Sequence, residues 1–252
     1  MTMYPKKSLG QNFLIDKNIF NKIVNLKNIS DKEVLEIGPG KGILTDTILL
    51  KKPKKLTIIE KDKKLYEFLK KKYQKINNIN IINCDVLKFN FSKNNNKEFI
   101  ISNLPYNISI KIIFDLLKIR NRFYELIFMI QKEVANKMDY KKNNKKNRLN
   151  FFIESVSNFN IEFNLTNNVF YPKPKVESSV VRIIPKNDIK FDYNLLENFS
   201  KEIFKHKRKK ISNNLNLNNK KIKYISKISL DKRAEDLTNN ELLKIFKYYY
   251  SL

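Results

Sequence analysis

The chain has 252 residues, 42% of them apolar, enough for one large domain or one domain with a small appendage. Its single cysteine, Cys84, excludes a disulfide framework and a cysteine-based zinc site, and no stretch nears the 18 or so apolar residues of a membrane span. The formal net charge of +26 points to an anionic partner, but 45 of the 51 basic residues are lysine, in a chain rich in Asn and Ile and poor in Ala and Gly. That slant is what AT-rich codons produce, so bulk charge is only supporting evidence for nucleic-acid binding.

In chain order, KKSLGQNFLID (6–16) forms an arm before the first strand, and Asp16 is placed to cap a helix over about Lys17–Leu26. Read by itself, the arm packs by Phe13, Leu14 and Ile19. Val34–Ile37 reads as a short buried strand and Ile43–Leu50 as a helix. Leu56–Ile59 is a strand, Asp62–Tyr73 a helix, and Ile79–Ile82 a strand leading to Cys84 and Asp85. Phe99–Ser102 is a strand, Ile110–Ile119 a helix, Leu126–Ile130 a strand and Gln131–Met138 a short helix. A polar, lysine-rich loop is expected over Tyr140–Asn147. Leu149–Val156 fits a helix or a strand, and Ile161–Leu165 and Val180–Ile184 are late strands. Alternating strands and helices imply an α/β fold with a largely parallel sheet covered on both faces. Pro185–Asp188 marks a boundary, after which the pattern is helical: about Leu195–Lys205, Lys209–Leu215 and Asn240–Tyr250.

Three of the four glycines, Gly38, Gly40 and Gly42, stand at alternate positions between the first strand and its helix. Glycine allows a tight turn and close approach of a ligand to the backbone. Polar residues close the successive strands: Glu36 lies in the first, Glu60 ends the second, Asp85 follows the third and Asn103 the fourth. In an open parallel sheet these ends share one edge, where ligands bind. Glu60 is spaced to accept hydrogen bonds from both hydroxyls of a ribose. To this point the site suits NAD or S-adenosyl-L-methionine. A dehydrogenase turn wants G-x-G-x-x-G to hold a pyrophosphate at a helix N-terminus, whereas here the spacing is G-x-G-x-G and Glu36 would repel one. A carboxylate suits the cationic methionyl end of S-adenosyl-L-methionine, with Asp85 accepting from the adenine amino group.

Asn103-Leu104-Pro105-Tyr106 narrows the chemistry. An aromatic amine is a poor nucleophile because its lone pair is delocalised into the ring. Two acceptors aimed at its hydrogens, the Asn103 side-chain oxygen and a main-chain carbonyl near Leu104-Pro105, would draw the nitrogen toward tetrahedral geometry. Tyr106 can stack on the base, a contact of about 1–3 kcal/mol. Rate then comes from alignment and fixed dipoles rather than from a strong base. A base attacked at its amino group must leave its stack, so a flipped or loop nucleotide is the expected target. Phe170, Lys173 and Lys175 in FYPKPK, and Lys207, Arg208 and Lys209 in the densest basic run, KHKRKK, are the expected RNA contacts.

Over nearly its whole length the chain resembles the small-subunit ribosomal RNA adenine dimethyltransferase family. The stretches that carry this are GQNFL (10–14), VLEIGPGKGILT (34–45), IEKD (59–62), NCDVLKF (83–89), NLPYNIS (103–109), QKEVA (131–135), FYPKPKVESSVV (170–181), FKHKRKKISNNL (204–215) and RAEDL (233–237). The resemblance implies a Rossmann-like, seven-stranded methyltransferase domain over 1–185, with 1–30 as its N-terminal arm and helix, and a small all-helical RNA-binding domain over 186–252. It implies dimethylation of N6 of two adjacent adenosines near the 3′ end of small-subunit rRNA, within a pre-30S-like particle, by a metal-free cytoplasmic monomer. It also implies that Asn12 and Leu14 join Gly38, Gly40, Glu60, Asp85 and Asn103 as cofactor contacts, against the packing role read for the arm alone, and that Asn103, Leu104, Pro105 and Tyr106 form the catalytic motif. The chain departs from the family pattern at Ile110-Lys111, where Thr-Pro is usual, at Asn147–Asn150, where Gly-Arg-Leu-Ser is usual, and in the KHKRKK run, where lysine replaces an arginine. The alternatives are a large-subunit enzyme of the erythromycin-resistance type, and a non-catalytic assembly or transcription factor of the same ancestry.

Overall fold

The computed structural model describes residues 13–14, 16–91, 96–143, 145–206, 208–215 and 231–251. Seven strands form one sheet: β2 (Glu33–Ile37), β3 (Lys55–Glu60), β4 (Ile79–Asn83), β5 (Glu98–Asn103), β6 (Phe123–Gln131), β7 (Ser157–Leu165) and β9 (Ser178–Pro185). Their order is β4-β3-β2-β5-β6-β9-β7. The pairs β2/β3, β3/β4, β2/β5 and β5/β6 are parallel and β6/β9 is antiparallel. A separate two-stranded ribbon joins β1 (Phe13–Leu14) to β8 (Phe170–Tyr171), pairing Leu14 with Phe170.

The central strands are buried along nearly their whole length, as strands covered on both faces must be. Because successive side chains alternate, Phe99, Ile101, Ile127 and Met129 join one core, while Ile100 and Phe128 between them are buried on the opposite face. The first core is closed by α1 (Lys17–Val24), α2 (Ile43–Leu50) and α3 (Lys63–Lys72), which supply Phe20, Ile48 and Leu69. α1 starts where the sequence places it, with Asp16 accepting from the Asn18 amide at 2.8 Å. α4 (Ser109–Lys118) follows β5, and within it Lys111, a departure from the family pattern, pairs with Asp115 at 3.1 Å.

By contacts the chain forms two compact units, one comprising residues up to Ala135 together with Asn160–Pro185, the other Asn136–Phe159 and the chain from Lys186. The second unit thus takes in a segment that lies before the expected boundary near residue 185. The reason is α7 (Arg148–Val156), whose Phe151 ring sits 6.0 Å from that of Phe199 on α8 (Tyr193–Ile203). Phe199 in turn meets Phe246 at 5.5 Å, on the helix Asn239–Tyr250. Edge-on ring pairs of this kind add about 0.5–1.5 kcal/mol each beyond area burial.

The expected polar loop over 140–147 instead contains a short helix, Tyr140–Asn143, and a buried lysine. Lys146 is ion-paired with Glu154, and its ammonium lies 3.7 Å from the Tyr140 ring centre. Asn147 then caps α7. Its side chain accepts from the amides of Leu149 (2.8 Å) and Asn150 (3.1 Å), and the Asn150 side chain accepts from the Asn147 amide (2.9 Å). The Asn147–Asn150 departure therefore keeps a helix start with reciprocal capping.

Candidate active site

The chain runs outward from β2 through β3 to β4, then returns to place β5 on the other side of β2. The topological switch thus falls between β2 and β5, and in such sheets the crevice beyond those carboxyl ends receives the ligand. Gly38 follows one of these strands and Asn103 ends the other. Both line a single open cleft, with Leu14, Phe20, Glu36, Pro39, Lys41, Ile43 and Leu44.

Gly38, Gly40 and Gly42 all have left-handed backbones, with φ of 66°, 60° and 76°. A side chain is disfavoured at each for that reason. The space around them differs. A methyl group at Gly38, which lines the cleft, would meet nothing within 4 Å. At Gly42 it would overlap the Tyr73 hydroxyl.

Two buried carboxylates serve the turn. Glu60 accepts from the Gly40 amide at 3.3 Å and the Asp62 amide at 2.8 Å. Burial raises its affinity for a proton, and the backbone donors oppose this. Its two oxygens hold about four lone pairs, so these bonds leave it able to accept from a ribose as well. Glu36 is 2% exposed and accepts from the Thr45 hydroxyl at 2.6 Å. Burial is the main cause that pushes its carboxyl up to about 8; Asp46 on α2 and Glu60 on β3 raise it further, while Thr45 and Lys72 on α3 lower it.

The sign of the Glu36 effect follows from linkage. Its folded-state affinity for a proton is raised, so its contribution to stability is complete below about pH 4.5 and is lost as pH rises through about 8. The melting temperature of the wild type should therefore fall relative to that of Glu36→Gln between pH 6 and 9. Glu60 shifts in the same direction but is present in both proteins. Parallel melting curves across that range would show that Glu36 is already ionised at pH 6.

Asp85 lies beyond β4. One of its oxygens accepts from the Leu87 amide at 3.0 Å and the other is paired with Lys61 at 2.8 Å, which holds the carboxyl below its ordinary range. Leu104 extends the β5/β6 pairing by one residue, its amide donating to the Met129 carbonyl at 3.1 Å, and its side chain is buried. Pro105 and the half-buried Tyr106 follow on this fixed base. The Tyr106 hydroxyl lies 2.5 Å from that of Ser178, the first residue of β9, so the ring is held from across the sheet.

Of the other expected site residues, Leu14 is buried in the cleft wall, where both the packing role and the cofactor role place it. Asn12 and Lys207 lie outside the described residues. Phe170 was expected to face RNA, but its ring is 3% exposed and belongs to the core beside Leu14; strand alternation turns Tyr171, 58% exposed, outward instead. Lys173, Lys175, Arg208 and Lys209 are exposed. Thr45, Ser178, Lys72 and Tyr73 were not anticipated. Thr45 carried a signal, standing one helical turn beyond Gly42 and facing back to Glu36. Ser178, on a strand remote in sequence, carried none.

The sheet order, the glycine turn and the acidic residues at the strand ends define a methyltransferase of the Rossmann-like class. Residues 4–251 match the model of the family described as ribosomal RNA adenine dimethylase, and the chain belongs to that family. Ribosomal RNA small subunit methyltransferase A of Malacoplasma penetrans is 45% identical over 84% of this chain and 78% of its own, and that of Mycoplasma capricolum is 39% identical over 98% of both. The crystal structure of a dimethyladenosine transferase from Plasmodium falciparum matches 95% of this chain and 98% of its own with a TM-score of 0.83 at 26% identity. Among the described residues no helix is long and apolar enough to cross a membrane, and no group of His, Cys, Asp or Glu is placed to hold a metal ion.

Proposed function

We propose that this chain transfers methyl groups to N6 of two adjacent adenosines near the 3′ end of small-subunit rRNA, two to each, during late subunit assembly, as a metal-free cytoplasmic monomer using S-adenosyl-L-methionine. The observation that carries this reading is that the glycine turn and Asn103 of the NLPY motif line one cleft at the switch point of the sheet. The small-subunit name of the relatives supports the choice of substrate.

The residues present fit the cofactor. Open space lies beside the Gly38 backbone, the Glu36 carboxyl lines the cleft, Glu60 supplies acceptors for a ribose, and Asp85 supplies a charged acceptor at the third strand end. Bound there, S-adenosyl-L-methionine supplies an electrophilic methyl on a positively charged sulfur. The chain's own work is alignment. The Asn103 side-chain oxygen and a carbonyl of Leu104-Pro105 accept the two amino hydrogens of adenine, so the nitrogen lone pair points toward the methyl. The Leu104–Met129 hydrogen bond fixes that carbonyl segment, and Ser178 fixes the Tyr106 ring as a stacking face. On transfer the C–S bond would break to leave a neutral thioether, and the amine would give up one proton to water. Lys173, Lys175, Arg208 and Lys209 offer exposed charge to RNA phosphates, an attraction that weakens with salt.

The test is incubation of the pure protein with methyl-labelled cofactor and under-methylated small subunits, followed by primer extension on both rRNAs. Label at two adjacent adenosines near the 3′ end of the small-subunit rRNA is the expected result. Label confined to large-subunit rRNA would assign the erythromycin-resistance activity, and no label would leave a binding role.

A further inference from the structure

We propose that Lys72 and Tyr73, at the C-terminal end of α3, are positioning residues that set cofactor affinity by clamping the glycine turn from behind. The proposal rests on the reading of this turn as the S-adenosyl-L-methionine site. While Gly38, Pro39 and Lys41 line the cleft, the carbonyls of Lys41 and Gly42 are gripped by α3. The Lys72 ammonium donates to the Lys41 carbonyl at 3.2 Å, the Gly42 carbonyl at 3.3 Å and one oxygen of Asp46 at 2.7 Å. The Tyr73 hydroxyl reaches the Gly42 carbonyl at 2.8 Å and the other oxygen of Asp46 at 2.7 Å, sharing one hydrogen between them. Burial and the adjacent Asp46 strongly raise the Tyr73 phenol, so it remains a donor.

The Gly42 carbonyl also accepts the first helical bond of α2, from the Asp46 amide at 3.0 Å. An N-cap carbonyl that needs one partner thus has three, two of them reaching across from another helix. Gly42 takes its left-handed conformation against the Tyr73 hydroxyl, in space that a side chain would fill. The clamp has an electrostatic side as well. Asp46 is a carboxylate beside the turn, and Lys72 is the cation paired with it from α3. Losing either donor would let the turn relax, and losing Lys72 would also leave Asp46 without that counter-charge. Neither residue reaches the reacting atoms, so the chemical step itself should be untouched.

The experiment compares Lys72→Met, Tyr73→Phe and Lys72→Arg with the wild type. Titration calorimetry measures binding of S-adenosylhomocysteine, labelled-methyl kinetics on under-methylated subunits give kcat and KM, and thermal melts report folding. Lys72 is partly exposed, so its substitution should leave the fold in place. Lys72→Met and Tyr73→Phe should each weaken binding and raise the KM for S-adenosyl-L-methionine by about tenfold, the loss of one charge-assisted or doubly shared hydrogen bond. The kcat should stay within about twofold, and Lys72→Arg should restore most of the affinity. A lowered melting temperature with unchanged binding would overturn the clamp and leave these residues a purely structural tie. A drop in kcat at constant KM would overturn it too. If the wild type binds no S-adenosylhomocysteine, the cofactor reading fails and the clamp falls with it; wild-type binding that all three variants retain sinks the clamp alone.

Discussion

Asn103→Ala should reduce methyl transfer by about 10³-fold or more while leaving RNA affinity within about twofold of the wild type. The magnitude follows from what the side chain does. In the proposed role it supplies one of two fixed acceptors at the point where charge develops, and removing one such preorganised group commonly costs about 10²–10³ in rate. Here the loss also frees the amine to rotate out of line, which adds to the barrier. The substitution should be tolerated by the fold, because Asn103 closes β5 at the half-buried rim while the strand before it, from Glu98 to Ser102, is fully buried. Labelled-methyl incorporation measures the first effect and filter binding to under-methylated subunits the second. Equal loss of transfer and of RNA binding would mean that Asn103 holds the substrate rather than aligning it.

Gly42→Ala should cost more in stability than Gly38→Ala, about 2–4 kcal/mol. The left-handed backbone at φ 76° accounts for about 1–2 kcal/mol of this for a residue with a side chain. The remainder comes from displacing the Tyr73 hydroxyl, which leaves its acceptors on Gly42 and Asp46 without that donor at a buried site. Gly38→Ala offers the contrast. It pays the backbone cost alone, since its methyl meets open space, but it adds that methyl at a residue that lines the cleft. Gly38→Ala should therefore lose cofactor affinity with a small change in melting temperature, and Gly42→Ala should lose both. Chemical denaturation and calorimetric titration, run on the two proteins side by side, separate these outcomes. Equal denaturation midpoints would show that Tyr73 swings aside at little cost.

What could be read from residues alone was local. The glycine turn stood out because the chain is so poor in glycine, and Asn103 stood out because it follows a buried strand and precedes Pro105. Both signals lie within a few residues of the chemistry. Ambiguity arose where polar residues are themselves buried. Leu149–Val156 fits a helix or a strand because Asn150 and Ser155 are buried along with Phe151, Phe152, Ile153 and Val156, so no clear polar face marks a period. The apolar run starts at Leu126 rather than at Phe123, where β6 begins, because Tyr124 and Glu125 interrupt it; Tyr124 is exposed and the buried Glu125 is ion-paired with Lys27 at 2.8 Å. Between adjacent aromatics, composition could not say which would be swallowed; pairing with the arm sends Phe170 inward and Tyr171 out. Long-range partners such as Tyr106 with Ser178, or Tyr73 with Gly42, carry no periodic signature at all, because either member would fit its own element without the other.

The bond between Tyr106 and Ser178 spans 72 residues of sequence, and the ribbon between Leu14 and Phe170 spans more than twice that. The ribosome makes the arm and the NLPY motif early, yet their partners Phe170 and Ser178 come later, on β8 and β9. At about 5–20 residues per second, the interval between making Tyr106 and making Ser178 lasts several seconds, during which the nascent enzyme has its reactive motif but not the bonds that hold it still. Competence is thus acquired late in synthesis, and as a single event, when one strand delivers both the serine and the link between β6 and the edge strand β7.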